Sequence, residues 1–479
     1  MAEIHLDTPD IPHPPLDLSN IQGDILRGFA KDTETFLFFR ITDPAEFRSR
    51  LQHIIPLITT AKQCEEIRQK IQAFRHSKEY KPGERLPITE LNVAFSARGL
   101  EVLGITDDLG DEEFKKGQYA DAEDLGDVIK EWDDIYTQTI HGVFLVASNS
   151  PSGIEMLIAK VQSSLGDSIE TMAKVSGSVR PGDQRSHEHF GFKDGISRPN
   201  IIGYTDPIYP GPKPILPGVI LLGNVGDVQE INPPVHKERP AWAKDGSFLA
   251  FRHLQQLVPE YNRWLLKEAT RLFPWIPSKG EVGSAAELLG ARTFGRWKSG
   301  CPLSHSWHKD DPDIANDPQK NNNFDFGEDS GQTRLPFAAH IRKMMPRSNQ
   351  PPDRLPFQQI VRAGIPYGPE VDKETEEEST VHDRGLLFVC YQSHLGNRRG
   401  FSFIQKLWAN DPKFPRIESS VPGLDLICGQ KGDLDRTMTG LHQNQQERES
   451  IAPRFVVSKG GEYFFSPSLK ALREKFATS

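Results

Sequence analysis

TETFLFFRIT, at residues 33–42, decides the fold together with the segment that follows it, DPAEFRSRLQHIIPLI at residues 43–58. The first segment is rich in aromatic and β-branched residues and predicts a buried strand. In the second, Asp43 is a suitable helix cap and Pro44 suits the first helical position. The stretch therefore predicts one strand followed by one helix.

The rest of the first half continues this pattern. An amphipathic helix is predicted from PSGIEMLIAKVQSSLG, residues 151–166. Further strands are predicted at residues 88–96, 140–148 and 170–179. The order of elements is β-α-β-β-α-β, the pattern of a ferredoxin-like, or split βαβ, unit with a mostly antiparallel sheet.

The second half repeats the first. GSFLAFRHLQQLVPEYNRWLLKEA (246–269) matches the opening strand and helix, down to FLAFR against FLFFR. GLLFVCYQSHLG (385–396) and the helix after it resemble ELNVAFSARGLEVLG (90–104). PRFVVSKGGEYFFSPS (453–468) is predicted to end the chain as a hairpin. The expected fold class is α+β, made of two ferredoxin-like halves with antiparallel sheets.

These halves define the expected domains. Residues 1–180 form the N-terminal half, and residues 218–479 form the C-terminal half. Between them, residues 181–217 are rich in proline and glycine and are interpreted as a linker.

Composition narrows the function classes. The chain has 479 residues, of which 37% are hydrophobic and 26% charged, and its formal net charge is −9. It has no basic block that would follow a nucleic acid and no apolar run that would span a bilayer. Nucleic acid and membrane are therefore not expected partners, and the oligomeric state is left open.

The four cysteines are scattered without a CxxC pair. This spacing argues against a disulfide framework and against a structural zinc site. The absence of CxxCH means that any haem would not be attached in the c-type manner. The cysteines are Cys64, Cys301, Cys390 and Cys428.

The first twenty residues, MAEIHLDTPDIPHPPLDLSN, are acidic and proline-rich, unlike a signal peptide. Read literally, they favour a cytoplasmic protein. If Met1 replaces a removed leader, the protein is extracellular. Both locations stay open.

Four short segments contain residues suited to chemistry. HEHFGFKDGISRPN (187–200) surrounds Asp194 with more charged residues than an Asp-Gly turn requires. His340, Arg362 and Asp425 lie in LPFAAHIRK, QIVRAGIPYGPE and VPGLDLICG. Taken singly, these are a turn residue, a hydrogen-bonded core histidine, an arginine with a buried stem and a turn cap.

Together, the four residues meet the needs of a haem peroxidase. Iron needs one axial imidazole, and that imidazole needs a carboxylate at its other nitrogen. Peroxide needs a base to move its proton and a fixed positive charge where negative charge develops. The four side chains supply one of each.

Six ordered segments between residues 16 and 392 resemble the fungal-type dye-decolorizing peroxidases. GFKDGISRP matches the GxxDG signature of that family. The others are LDLSNIQGDILRGFAK, GRWKSGCP, LPFAAHIRK, IVRAGIPYG and LLFVCYQ. The resemblance implies two ferredoxin-like halves, with non-covalent haem b (iron protoporphyrin IX) held mainly by the C-terminal half. It also implies that hydrogen peroxide is used to oxidise dyes, phenols and other aromatic reductants by one-electron steps.

The resemblance assigns the central roles residue by residue. Asp194 becomes the distal acid-base residue and Arg362 the distal arginine. His340 becomes the proximal iron ligand, with Asp425 as its carboxylate partner. Because Arg362 favours the ionised form of Asp194, and a carboxylate stays competent at lower pH than an imidazole, an acidic optimum is expected.

Further roles follow from the resemblance. Leu386 and Phe388 wall the distal pocket, and Arg342 contacts a haem propionate. Tyr367 and Trp408 are the candidates for a surface radical that oxidises bulky substrates. For Trp408 a core position is the alternative, because it shares one helical face with residues 401 and 404.

Three other functions are weighed against a peroxidase. A haem-binding or haem-delivery protein would need the histidine and a pocket but no Asp-Arg pair. A deferrochelatase-type enzyme would remove iron from haem. A structural protein without haem would use GFKDG only as a turn.

Overall fold

The structure is a computed structural model that describes residues 15–478 apart from 78–79, 82, 232–233, 273–278, 373–377, 397, 418–419, 433 and 443–448. Its strands are β1 Thr33–Ile41, β2 Thr89–Phe95, β3 Gly142–Ser148, β4 Ile169–Ser178, β5 Val228–Ile231, β6 Pro234–His236, β7 Ser247–Gln256, β8 Val361–Arg362, β9 Ile365–Tyr367, β10 Gly385–Gln392, β11 Arg436–Met438, β12 Ser450–Ala452 and β13 Val456–Ser466. All the pairs within the main sheet are antiparallel.

Among the described residues, five α-helices have 11 to 16 residues and the others are short. In chain order, the α-helices are α1 Asp24–Arg27, α2 Pro44–Ile54, α3 Ala61–Arg75, α4 Ala97–Val102, α5 Glu112–Lys116, α6 Gln118–Asp121, α7 Pro151–Leu165, α8 Val258–Leu272, α9 Lys279–Phe294, α10 Pro312–Asn316, α11 His340–Met344, α12 Gly400–Phe403 and α13 Leu469–Ala471. A π-helical segment, Ile404–Ala409, extends α12. Within the described ranges, no helix is both long and apolar enough to cross a bilayer.

The first predicted strand and helix form as expected. The Asp43 side chain accepts a hydrogen bond of 2.9 Å from the Glu46 backbone amide, and Pro44 opens α2. This side chain satisfies one of the amides that a helix leaves unpaired at its start.

Both halves have the same strand order, which confirms the α+β prediction of two ferredoxin-like units. The N-terminal half reads β4-β1-β3-β2, and the C-terminal half reads β13-β7-β10-β8, with β9 also paired to β10. If each half's strands are numbered in chain order, with β8 and β9 as one strand, both orders become 4-1-3-2. The boundaries at residues 180 and 217 stay predictions.

The two halves share one curved sheet of nine strands. They join where Phe95 of β2 pairs with Phe465 of β13. At the other end β4 approaches β9 so closely that a Cβ added to Gly177 would lie 2.5 Å from the carbonyl oxygen of Pro366. The sheet therefore curls into a barrel, with an inner and an outer face.

Three details of the predicted repeat are wrong. GLLFVCYQ, which was matched to the second strand of the N-terminal half, forms β10, and β10 has the place that β3 has in that half. Phe36 of FLFFR packs in the barrel interior, whereas Phe248 of FLAFR packs in the core on the outer face. The letter match is thus one residue out of register, and such a slip reverses the faces of a strand. The predicted terminal hairpin is instead the single strand β13, whose register shifts between Ser458 and Gly460.

Candidate active site

A cavity of about 250 Å³, partly open to solvent, lies on the outer face of the C-terminal half of the sheet. Its walls come from β7, β10 and β13, from α9, α11 and α12, and from the loop around residues 188–199. Apolar residues form much of the surface. They include Phe294, Ile341, Leu386, Phe388, Ile427 and Val456.

His340 and Asp425 form one hydrogen-bonded pair at this cavity. His340 is the first residue of α11 and lines the cavity, while Asp425 lies behind it and is fully buried. His340 Nδ1 lies 2.8 Å from Asp425 Oδ2. The other carboxylate oxygen accepts from the backbone amides of Ile427 and Cys428 at 2.8 and 3.1 Å. This pairing leaves Nε2 as the ring nitrogen available to a metal.

The charges of this pair support each other. Burial lowers the pKa of His340, but the Asp425 carboxylate outweighs burial, so that the net shift is upward. Burial raises the pKa of Asp425, but His340 and two backbone amides lower it below the ordinary range. Asp425 is thus held as a carboxylate that orients the imidazole and makes it a stronger electron donor.

Cys428 also lies close to this pair, and sequence reasoning missed it. Its Sγ is 3.4 Å from Asp425 Oδ2 and 3.8 Å from His340 Nδ1. The three residues bring potential metal ligands within 4.8 Å of one another. Because Asp425 already accepts from the imidazole and from two amides, we interpret the group as a support for His340 and not as a three-ligand metal site.

Asp194 and Arg362 form a second pair on the wall of the same cavity. Arg362 Nη1 donates to Asp194 Oδ1 at 2.6 Å. Arg362 is fixed by β8, where it pairs with Cys390 of β10. Asp194 is presented by a turn in which Gly195 has a φ of +79°, a conformation that favours glycine. The two residues come from segments 168 positions apart.

This second pair is ionised. Burial raises the pKa of Asp194, but the charge and hydrogen bond of Arg362 outweigh burial and lower the pKa below its ordinary value. Asp194 in turn raises the pKa of Arg362. The cavity therefore contains a carboxylate base held beside a permanent positive charge, as base-assisted proton transfer requires.

Leu386 and Phe388 line the cavity, whereas the prediction for Arg342 is wrong. Leu386 and Phe388 alternate along β10 and face the same side. Arg342 is fully buried away from the cavity, where it donates to Asn349 and to the backbone oxygens of Leu335 and Asp329. It does not line the cavity, so it is not placed to contact a propionate bound there.

Two other arginines reach the cavity, and sequence reasoning missed both. Arg198 donates to the carbonyl oxygen of Arg27 at 3.0 Å, and Arg296 donates to neutral oxygens, including Ser197 Oγ at 3.1 Å. Burial lowers the pKa of Arg296 to about 10, so it stays charged at neutral pH. Arg198 is part of GFKDGISRP and Arg296 is part of GRWKSGCP, two of the segments that carry the family resemblance, so their positions in these segments were a signal that could have identified them.

Tyr367 and Trp408 are buried, so the expectation that they reach the surface is wrong. Tyr367 is 7% exposed and Trp408 is 2% exposed. Trp408 stacks on Phe414 with ring centroids 5.1 Å apart, and Phe401 and Ile404 are buried with it. This burial fits the core position weighed as the alternative for Trp408. The radical roles of both residues stay predictions.

The residues of the cavity fit a haem. The apolar walls would contact the faces of a porphyrin, and His340 Nε2 would hold its iron. Arg198 and Arg296 supply positive charge for the two carboxylates of the porphyrin. The cavity thus offers suitable groups to the ring, the iron and the propionates.

Comparison with known proteins agrees with this chemistry. A family model described as the DyP dimeric alpha+beta barrel domain matches residues 20–181. A dye-decolorizing peroxidase of Mycena epipterygia is 43% identical over 95% of this chain and 86% of its own length. A deferrochelatase of Yersinia pestis is 29% identical over only 43% of this chain and 33% of its own length.

Solved structures extend the agreement to the fold. An ancestral D-type dye-decolorizing peroxidase has a TM-score of 0.89 and 46% identity, covering 97% of this chain and 100% of that one. A dye-decolorizing peroxidase in complex with 2,6-dimethoxyphenol has a TM-score of 0.85, 43% identity and the same coverage. This chain therefore belongs to the dye-decolorizing peroxidase family and is a haem peroxidase that oxidises dyes and phenols.

Proposed function

We propose that the protein binds haem b without a covalent bond and that the pairs His340–Asp425 and Asp194–Arg362 divide the work. The observation that carries the proposal is that both pairs line or support one cavity. His340 Nε2 is the proposed iron ligand, oriented by Asp425. Arg198 and Arg296 are the proposed partners of the propionates. Bound there, haem would supply the metal that binds peroxide and stores the oxidising equivalents.

Asp194 moves the proton in the proposed reaction. As a carboxylate, it takes the proton from one oxygen of hydrogen peroxide and returns it to the other oxygen when that oxygen leaves. Arg362 holds Asp194 in place and stabilises the negative charge that develops as the O–O bond breaks. Leu386 and Phe388 narrow the space beside them and exclude large molecules.

The proposed reductants are aromatic dyes and phenols, each giving one electron in each step. A haem-carrying protein without turnover would have no use for the Asp194–Arg362 pair. Removal of iron from haem is supported only by the partial likeness to a deferrochelatase, and no feature of the cavity favours it.

Replacing Asp194 tests the proposal. In Asp194→Asn, haem stays bound because the His340–Asp425 pair is untouched. The rate of reaction with peroxide falls about 10²–10⁴-fold because the proton acceptor is lost. The measurement is stopped-flow absorption of the Soret band after hydrogen peroxide is added.

Asp108→Asn is the matched control, because it makes the same change in a side chain that is 61% exposed and paired with Lys115. It should react like the wild type. An unchanged rate in Asp194→Asn would refute the role of Asp194.

Acid extraction with an organic solvent tests the cofactor: haem b leaves the protein, whereas a covalently bound haem stays with it.

A further inference from the structure

The buried position of Tyr367 raises the question of how an electron from a bulky reductant would reach it. Tyr367 pairs through its backbone with Gly385, and its ring lies in the barrel interior with Leu387, across the sheet from the cavity. Its hydroxyl donates to Asp383 Oδ1 at 2.8 Å. The ring of His253 meets it edge-on, with centroids 4.5 Å apart. Tyr367 thus has a proton acceptor and one close aromatic neighbour deeper in the barrel.

That neighbour connects Tyr367 to a second tyrosine. Tyr136 is 2% exposed, and its hydroxyl lies 3.3 Å from His253 Nδ1. The tyrosine hydroxyl has no other hydrogen bond within the described part of the chain, and in the tautomer of His253 with its proton on Nε2 it donates to Nδ1. A second carboxylate, Asp133 Oδ2, lies 3.4 Å from the same nitrogen.

His253 is suited to take up a proton at Nδ1. Burial lowers its pKa, which keeps the resting imidazole neutral. Its Nε2 is buried and lacks a hydrogen bond to any described residue, so no protein acceptor competes for that end of the ring. Asp133 would stabilise the imidazolium once it forms.

We propose that Tyr136 is a second oxidisable residue, which reduces an oxidised Tyr367 while His253 receives its proton. The inference rests on the proposed function, because the peroxidase reaction supplies the oxidant. It adds a catalytic residue and a direction of electron flow that leads from the opposite side of the barrel, past His253, towards the cavity.

The step balances in electrons and protons. One electron passes from Tyr136 to the Tyr367 radical, and the O–H bond of Tyr136 breaks with its proton going to His253 Nδ1. Tyr367 regains its proton from Asp383. When a phenol at the surface reduces the Tyr136 radical, His253 returns the proton to the Tyr136 oxygen, and the phenol gives its own proton to water and leaves as a phenoxyl radical.

A pair of aromatic residues, one buried and one exposed, lies close to Tyr136 along the chain: Trp132 is 5% exposed and Tyr119 is at the surface. Trp132 is four residues before Tyr136 in the chain, so their Cα atoms are at most about 14 Å apart. Tyr119, which is 46% exposed, packs edge-on against Trp132 with ring centroids 5.8 Å apart. We include this pair in the proposal as the place where the electron of a bulky reductant enters.

Other buried tyrosines lack this combination. Tyr261 shares its hydroxyl with Thr293 Oγ1, and no imidazole of the described residues accepts from it. Tyr391 and Tyr463 donate to Asp24 and Asp121, carboxylates that are themselves buried. Only for Tyr136, among these, does an imidazole accept the proton beside an aromatic contact to Tyr367.

The test is made on the haem-loaded protein with hydrogen peroxide and a nitroso spin trap, followed by peptide mass spectrometry. In the wild type we expect a trap adduct on Tyr119 or Trp132. In Tyr136→Phe, the yield of that adduct should fall at least tenfold. The ratio of the rate with a polymer-tethered phenol to the rate with the free phenol should fall by a similar factor.

Two controls separate this effect from a change in folding. Tyr261→Phe removes a buried hydroxyl that has no imidazole partner among the described residues. Tyr209→Phe removes the hydroxyl of a tyrosine whose ring is 41% exposed and takes no part in the proposed path. Both should keep the wild-type adduct yield. If Tyr136→Phe does not fold, Asp133→Asn, which leaves the tyrosine in place, should still lower the yield by destabilising the imidazolium.

Each contrary result has a distinct meaning. The path through Tyr136 is overturned if the adduct yield is unchanged in Tyr136→Phe. Where that variant does not fold, an unchanged yield in Asp133→Asn overturns it. The absence of any adduct on residues 119 and 132 in the wild type, while peroxide still changes the Soret band, also overturns it. A Soret band that ignores peroxide would instead overturn the proposed function, and this inference with it.

Discussion

The two halves of the barrel share one strand order but use their outer faces differently. In the N-terminal half, Phe39 and Val146 of the sheet pack against Phe47 of α2 and Ile158 of α7, in one continuous core. In the C-terminal half, Leu254, Leu386 and Phe388 lie on the same face and border the cavity. The same framework is thus filled by helices in one half and left open for a cofactor in the other.

The difference comes from what covers each sheet. Helices α2 and α7 lie directly on the N-terminal strands. Helices α8 and α9 pack mainly on each other, in a separate cluster that includes Tyr261 and Leu289. Because they do not fill the space over β7 and β10, that part of the sheet keeps a cavity. A repeated fold does not therefore imply a repeated site.

The largest effect on this asymmetry is expected from a variant that removes the imidazole of His340. His340→Ala should lower haem affinity at least about 100-fold, the upper end of the cost of losing even an outer partner of a metal ligand. It should leave the N-terminal half folded. Haem titration followed by the Soret band measures the change. His305→Ala, which changes an exposed histidine bonded to the carbonyl oxygen of Lys320, is the control. Normal axial ligation in His340→Ala would mean that another residue binds iron.

A second test compares two phenylalanines on the same face of the sheet. Phe39→Ala, in the filled half, should lower the free energy of unfolding by about 3–5 kcal/mol because the ring is fully buried. Phe388→Ala should cost on the order of 1 kcal/mol, because part of that ring already faces the cavity. Urea unfolding of the haem-free protein measures both. Equal losses would show that the cavity wall is packed as tightly as the core.

The smallest expected effect is a shift in pH dependence. Because Arg362 keeps the pKa of Asp194 below its ordinary value, the rate with peroxide in the wild type falls only when the pH drops through that lowered pKa. The stability that the ionised pair contributes is likewise present above the ordinary carboxyl pKa and is lost as the pH falls through the lowered one.

Arg362→Leu removes the cause of the lowering, so the acid limb of the rate should move to higher pH. The pH profile of the stopped-flow rate measures the shift. Arg40→Leu, in a surface pair with Glu170, should leave the profile in place. An acid limb that stays where it is in Arg362→Leu would mean that another group sets it.

The local pattern of this sequence was enough for the four strands of the N-terminal half, and the resemblance to a family assigned the roles of the central site residues. Alternating and fully apolar runs predicted β1, β2, β3 and β4 to within about two residues. Asp194, Arg362, His340 and Asp425 were each identified by their residue type and by the segment around them. The structure brings them together as two pairs, with separations of 2.6 and 2.8 Å.

Tertiary structure alone decided the rest, because local periodicity says nothing about packing between distant segments. It decided that the two halves join at Phe95 and Phe465 and that FLAFR turns its faces opposite to FLFFR. It also turned Arg342 into the protein and left Arg198 and Arg296 at the cavity. A long side chain can point in several directions from one backbone position, and the packing around it selects one. For the same reason, only the folded chain shows that Tyr367 meets His253 and Tyr136.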